Sequence, residues 1–205
     1  MAKPGTQRDQ AIRLLRSQGM MRLSEFKANG ITAATVGRMV RAGEVNRLAR
    51  GLYQLPDAPL VAHHSLAEAA KRVPRGVVCL VSALAYHELT DQLPRSVWMA
   101  IGTKDWMPKE GRPAMRIVRF TDALLTDDVL TVHIENVPVK VFGIAKTIAD
   151  CFRHRRKVGP TVALEGLQEA LRQRKASPAE IAHHAARGGV ATAVRPYLEA
   201  LTANA

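Results

Sequence analysis

The sequence predicts an α+β fold: a module of three helices closed by a β-hairpin, followed by a mixed α/β domain with a helical C-terminal end. Three observations carry this expectation. Helical periodicity alternates with turn signals before residue 55, β-prone runs cluster between 77 and 142, and the pattern from about 145 onward is helical. The chain has 205 residues, 47% hydrophobic and 23% charged. That is a globular composition, and a chain of this length buries roughly 70% of its unfolded surface without metal or disulfide staples.

Residues 6 to 18 (TQRDQAIRLLRSQ) place Ile12 and Leu15 on one face and Arg8, Arg13 and Arg16 elsewhere, and Gly19 ends the pattern. A second short helix is predicted from Leu23 to about Ala28, with Phe26 inward and Asn29-Gly30 as a turn. The third begins at Thr32, an N-cap whose hydroxyl can accept from an orphan amide. Ile31 and Val36 are spaced as a hydrophobic staple, and Gly43 is the expected terminator.

At about 100° per residue the third helix turns Ala33, Val36, Met39 and Val40 inward and Ala34, Thr35, Arg38 and Arg41 outward. The outward set has the chemistry of base reading. Arginine can bond guanine O6 and N7 together, threonine can reach several base edges, and alanine can touch a thymine methyl. Two β-prone runs follow, Val45 to Ala49 and Leu52 to Leu55, joined through Arg50-Gly51. Three helices and a hairpin make a winged helix-turn-helix, in which the third helix enters the major groove. The candidate DNA-binding residues are Thr32, Ala34, Thr35, Arg38 and Arg41 on the helix, with Arg47 and Arg50 on the wing.

Charge agrees with a polyanionic partner, since 30 Lys and Arg against 18 Asp and Glu give a net +12. Residues 1 to 58 hold ten basic and four acidic side chains, so the small first part is the more densely basic. Pro56-Asp57-Ala58-Pro59 breaks regular structure, which sets the expected boundary between a DNA-binding domain, 1–58, and a second domain, 60–205. No apolar run is long enough to span a membrane, and the N-terminus lacks the apolar core of a signal peptide, so a cytoplasmic protein without membrane contact is expected. Cys79 and Cys151 are too few for a disulfide framework or a four-cysteine zinc site and are expected to be reduced packing residues.

In the second domain the pattern gives a helix over His64 to Val73, a strand over Val77 to Val81 and a helix from Ser82. Strands are expected at 97–101, 115–120, 129–134 and 137–142, the last two joined by Glu135-Asn136, then helices at about 145–155, 161–174, 178–187 and 190–202. Ser177-Pro178-Ala179-Glu180 is a capping box with proline at the first helical position.

Catalytic signals are weak. Gly143-Ile144-Ala145-Lys146-Thr147 lacks the earlier glycine of a phosphate loop, and Asp127-Asp128 reads as a solvated loop. Asp122, Glu135 and Lys140 are the only set from which a metal-dependent nuclease could be drawn, and their spacing suits an exposed hairpin ion pair better. His63-His64 and His183-His184 are adjacent pairs that point apart on a helix, so they read as packing residues and no metal or other cofactor is expected. Lys146, Arg153, Arg155, Arg156 and Lys157 form a candidate basic patch for a nucleic acid or an acidic partner, and they also suit a helix C-terminus. Asp150 lies mid-helix and calls for Arg153 or another cation beside it.

The stretch ITAATVGRMVRAGEVNRLARGLYQLP resembles the N-terminal winged helix of the AbiEi family, the antitoxins of type IV abortive-infection toxin–antitoxin systems. VSALAYHELT (Val81 to Thr90) and IADCFRHRRKVGPTVALEGLQEALR (Ile148 to Arg172) resemble the same family, so the likeness covers nearly the whole chain. It implies a non-enzymatic repressor that binds double-stranded DNA at repeats in its own promoter. It also implies that the protein counteracts a co-encoded nucleotidyltransferase-like toxin. Dimerisation on DNA and direct contact with the toxin stay open. A ligand-responsive winged-helix regulator and a winged-helix-guided nuclease are the alternatives that the residues leave standing.

Overall fold

The computed structural model describes residues 6–59 and 62–203, which fall into two compact units. The first takes in the chain as far as Pro74 together with Pro108–Pro113 and His133–Val139. The second comprises Arg75–Met107, Ala114–Val132 and the chain from Lys140 onward.

In the first unit, helix α1 (Gln7–Gln18) starts on a capping box, in which the Asp9 amide donates to the Thr6 hydroxyl at 3.2 Å and the Thr6 amide donates to the Asp9 carboxylate at 3.1 Å. It ends at Gly19, whose φ is +71°. A Cβ there would lie 1.8 Å from the Glu135 carbonyl oxygen, so both the backbone angle and the close approach call for glycine. The next residues form a short strand, β1 (Met20–Arg22), that the sequence does not announce, because three residues are too few to show alternation. Helix α2 (Leu23–Ala28) and helix α3 (Ala33–Arg41) lie where expected, and Gly43 follows α3 in the left-handed region with φ +71°.

Strands β2 (Asn46–Ala49) and β3 (Leu52–Gln54) form the wing, and β1 pairs with β3 on its other side, giving the order β1-β3-β2. Leu48 is an extra residue between the pairs Arg47–Tyr53 and Ala49–Leu52. Ala11, Leu15, Met21, Phe26, Ile31, Val36, Met39, Val45 and Tyr53 close the core, with Phe26 edge-on to Tyr53 at 6.0 Å.

The unit runs past the proline link of residues 56–59, where the domain boundary was expected; Leu60, the expected start of the second domain, lies outside the described residues. Helix α4 (His64–Arg72) belongs to it through two polar ties. Lys71 Nζ pairs with Glu25 at 2.8 Å, and His64 Nδ1 meets Glu135 at 2.8 Å, while Gln54 Nε2 donates to the same carboxylate at 3.1 Å.

The second unit begins with β4 (Val77–Val78) and α5 (Leu80–Tyr86). The strand stops three residues earlier than expected and Ser82 caps nothing. It is 2% exposed, and its hydroxyl accepts from the Trp98 amide at 2.9 Å. The run from Val77 to Ala85 is almost wholly apolar, so periodicity cannot separate strand from helix within it. Next come β5 (Val97–Gly102), β6 (Met115–Phe120), the single turn α6 (Asp122–Leu125), β7 (Val129–Ile134) and β8 (Val137–Phe142), of which the hairpin end, His133–Val139, is counted in the first unit. The sheet order is β6-β5-β4-β8-β7. β5 runs parallel to β6, and β4 is antiparallel to β5 and parallel to β8.

Helices α7 (Ile144–Arg153), α8 (Arg155–Val158), α9 (Pro160–Arg172), α10 (Pro178–Arg187) and α11 (Ala191–Thr202) complete the unit. α7 is the central one, buried at every position from Ala145 to Phe152 and packed by α5, α9 and α10. The Ser177 capping box forms as expected, with the Ser177 amide donating to Glu180 at 2.7 Å.

Candidate nucleic-acid interface

Helix α3 leaves Thr32, Ala34, Arg38 and Arg41 exposed. Thr35 departs from expectation: it is 6% exposed and faces α1, while Ala33, expected inside, is exposed. The buried arc is rotated toward Thr35 because the core contacts of α3 come from Val36 and Met39, and Val40 is only partly covered. Thr35 still bears on the outward face. Its hydroxyl donates to Gln7 Oε1 at 2.8 Å and accepts from Arg38 Nη2 at 3.1 Å, which holds the guanidinium along the helix. Gln7 Oε1 also accepts from the Thr32 amide at 3.2 Å, so one glutamine on α1 fixes the first turn of α3. Sequence reasoning missed Gln7, since nothing local connects residue 7 to residue 32.

A cleft of about 500 Å³ opens in front of this turn, lined by Thr6, Gln7, Arg8, Thr32, Thr35 and Arg38 among others. On the wing, Arg47 and Arg50 are both exposed. Gly51 has φ +75° at the hairpin tip, and its carbonyl accepts from the Leu23 amide at 2.8 Å, which pins the wing to α2. A helix bearing a positioned arginine and a rigid basic hairpin can place one cation on base edges and others on phosphates.

Residues 9–56 match the family model described as transcriptional regulator, AbiEi antitoxin. This module is an AbiEi antitoxin domain. The match likens this module to a transcriptional regulator of the antitoxin class, for which DNA binding is the expected property. The crystal structure of the RV2827C protein from Mycobacterium tuberculosis is similar to this chain with a TM-score of 0.60 and 11% identity, over 99% of this chain and 83% of that one. At that identity the likeness speaks for the fold. No curated protein matches the chain.

Beyond the AbiEi module, the candidate basic patch needs correction. Lys146 is 1% exposed and pairs with Asp150, itself 1% exposed. Its ammonium lies 4.6 Å from the ring centre of Phe142 and 5.0 Å from that of Phe120. Lys146, not Arg153, is thus the direct partner of Asp150. Arg153 instead donates to the Gly188 carbonyl and Arg155 to the Phe152 carbonyl, both at 3.0 Å, as cations at a helix C-terminus do. Arg156 and Lys157 remain exposed.

His154 sits between α7 and α8, its Nε2 buried without a hydrogen-bond partner and its ring 5.3 Å from Phe120. Burial, helped by Lys157, Arg153 and Lys146, pushes its pKa down to about 4. The native state therefore holds it neutral where the unfolded chain already takes up a proton, so stability is lost as pH falls from about 6.5 toward 4. His154→Gln should flatten that part of the Tm-against-pH curve. An unchanged slope would show that His154 is not its source.

The remaining chemical candidates fall into structural roles. Asp127, expected in a solvated loop, is enclosed by His184 at 3.1 Å and Arg187 at 3.2 Å. Glu135, expected in an exposed ion pair with Lys140, is bound in the first unit by His64 and Gln54, whereas Asp122 and Lys140 belong to the second. A Cβ on Gly143 would lie 2.1 Å from the Asp128 carboxylate, so an anion already covers the N-terminus of α7. Cys79 and Cys151 are buried free thiols, both pushed up in pKa chiefly by burial. Among the described residues no helix is long and apolar enough to cross a membrane, and no group of three or more His, Cys, Asp or Glu could hold a metal ion.

Proposed function

We propose that this chain is a DNA-binding antitoxin and transcriptional autorepressor that counteracts a co-encoded nucleotidyltransferase-like toxin without catalysis of its own. One observation carries the reading: residues 9–56 match the AbiEi antitoxin model, and within them Arg38 and Arg41 are exposed on α3 with Arg38 held by Thr35. In this reading α3 reads base edges in the major groove, with Thr32 and Ala34 beside the arginines, and Arg47 and Arg50 lie on phosphates. The first 58 residues serve repression, and residues 60–205 serve toxin neutralisation, with exposed Arg156 and Lys157 available to an acidic partner.

Point variants in the full chain test this better than fragments. A cut near residue 59 would strip Gln54 and Gly19 of their contacts with Glu135, which lies inside the first compact unit. With a reporter on the chain's own promoter, Arg38→Ala/Arg41→Ala should abolish repression while cells still survive the co-expressed neighbouring toxin. Loss of both activities in a stably folded variant would mean that neutralisation depends on DNA binding. Retention of repression would remove α3 as the DNA-reading helix.

A further inference from the structure

The first unit carries a second cationic feature that the recognition helix does not account for. A groove of about 490 Å³ runs between the flank of the wing and residues 108–112, a loop far away in sequence. Arg22, Arg50, Lys71, Arg72, Lys109 and Arg112 line it, against the single acidic residue Glu110.

These six cations do different things. Lys71 is ion-paired with Glu25 at 2.8 Å, so its charge is offset. Arg72 builds the loop: its guanidinium donates to the Pro113 carbonyl at 2.7 Å and to the Lys109 carbonyl. Gly111 passes against the same guanidinium, where a Cβ would lie 3.2 Å from Nη2. The backbone of 109–113 is thereby wrapped on a fixed fork, and Lys109 and Arg112 are left exposed on it. Arg22 and Arg50 are exposed on the wing flank. None of Arg22, Arg50, Lys109 and Arg112 forms a salt bridge among the described residues.

Four exposed cations converging on one groove, with the loop tied down in advance, suit a row of regularly spaced anions. We infer that this groove seats the phosphate backbone of the same duplex that α3 contacts, with Lys109 and Arg112 as contacts supplied from outside the family-matched segment. The inference rests on the DNA-binding reading above. Its occupant is duplex DNA, because Arg50 belongs both to the groove and to the wing tip.

The test is a salt titration of full-length protein on a random-sequence duplex and on the chain's own promoter fragment. Phosphate contacts act on every sequence alike. Lys109→Glu/Arg112→Glu should therefore weaken both duplexes equally, by roughly ten- to thirty-fold near physiological salt, and lower the slope of log K against log salt by about two. Lys109→Arg/Arg112→Lys should restore wild-type binding, which separates charge from folding.

If the charge-reversed protein binds as wild type while Arg50→Ala weakens binding, the groove does not hold phosphate and the inference fails alone. If wild-type protein binds neither duplex, the DNA-binding reading fails with it. If DNA binding is unchanged and toxin rescue is lost, the groove serves an acidic protein surface and the phosphate assignment is overturned.

Discussion

Lys146→Met is expected to destabilise the protein by about 3–5 kcal/mol, the usual cost of removing one partner of a buried ion pair. Lys146 and Asp150 are each 1% exposed and lie one turn apart on α7, itself covered by α5, α9 and α10. Methionine fills much of the lysine stem's volume, so the loss falls on the carboxylate left behind. Burial already pushes the Asp150 pKa above the ordinary carboxylate value, and Lys146 draws it back. Without the lysine the folded state holds Asp150 protonated over a wider range.

The sign follows from linkage. A carboxylate with a raised folded pKa costs stability as pH climbs from its unfolded value through its folded one. The deficit of Lys146→Met should thus be greatest at neutral and alkaline pH and shrink toward acid. Lys146→Met/Asp150→Leu should regain most of the loss, since apolar replacement of a buried pair is often neutral or stabilising. Urea unfolding at two pH values reads both effects. A single variant as stable as wild type would show that the pair is neither buried nor charged in solution.

That pair also marks where sequence reading stops. Lys146 and Asp150 have the spacing of an exposed helical salt bridge, and only the helices packed around α7 make it an interior pair. Elements with a complete local code were legible: Ser177 to Glu180 carries its own capping box, and Glu135-Asn136 supplies two positive-φ residues at the hairpin turn. β1 was not, because Met20 and Met21 are buried by pairing with β3, a long-range event without local periodicity. Ser82 misled for a related reason. It has the chemistry of a cap, yet its hydroxyl is used by β5. At the candidate interface the exposed placement of the arginines was legible, whereas Gln7 and the inward turn of Thr35 depend on how α1 lies against α3.

Arg38→Ala should flatten operator preference, because one bidentate contact to a base edge is worth about 1–3 kcal/mol of discrimination. Arg50→Ala, at the wing tip, should instead weaken binding to all sequences about equally. Thr35→Val separates positioning from charge. Valine keeps the volume packed against α1 but loses the hydroxyl that holds Arg38 Nη2 at 3.1 Å and donates to Gln7 at 2.8 Å. Net charge is unchanged, so the salt slope should stay at its wild-type value while preference at the Arg38 position relaxes part of the way toward that of Arg38→Ala. Gln7→Ala, which removes the acceptor from the other side, should shift preference in the same direction. Binding-site selection followed by titration on the enriched and scrambled sites reads all four variants. Were Thr35→Val to lower affinity for both sites equally, Thr35 would be a packing residue only. Were Arg50→Ala to change preference while Arg38→Ala did not, the wing and not α3 would be the element that reads bases.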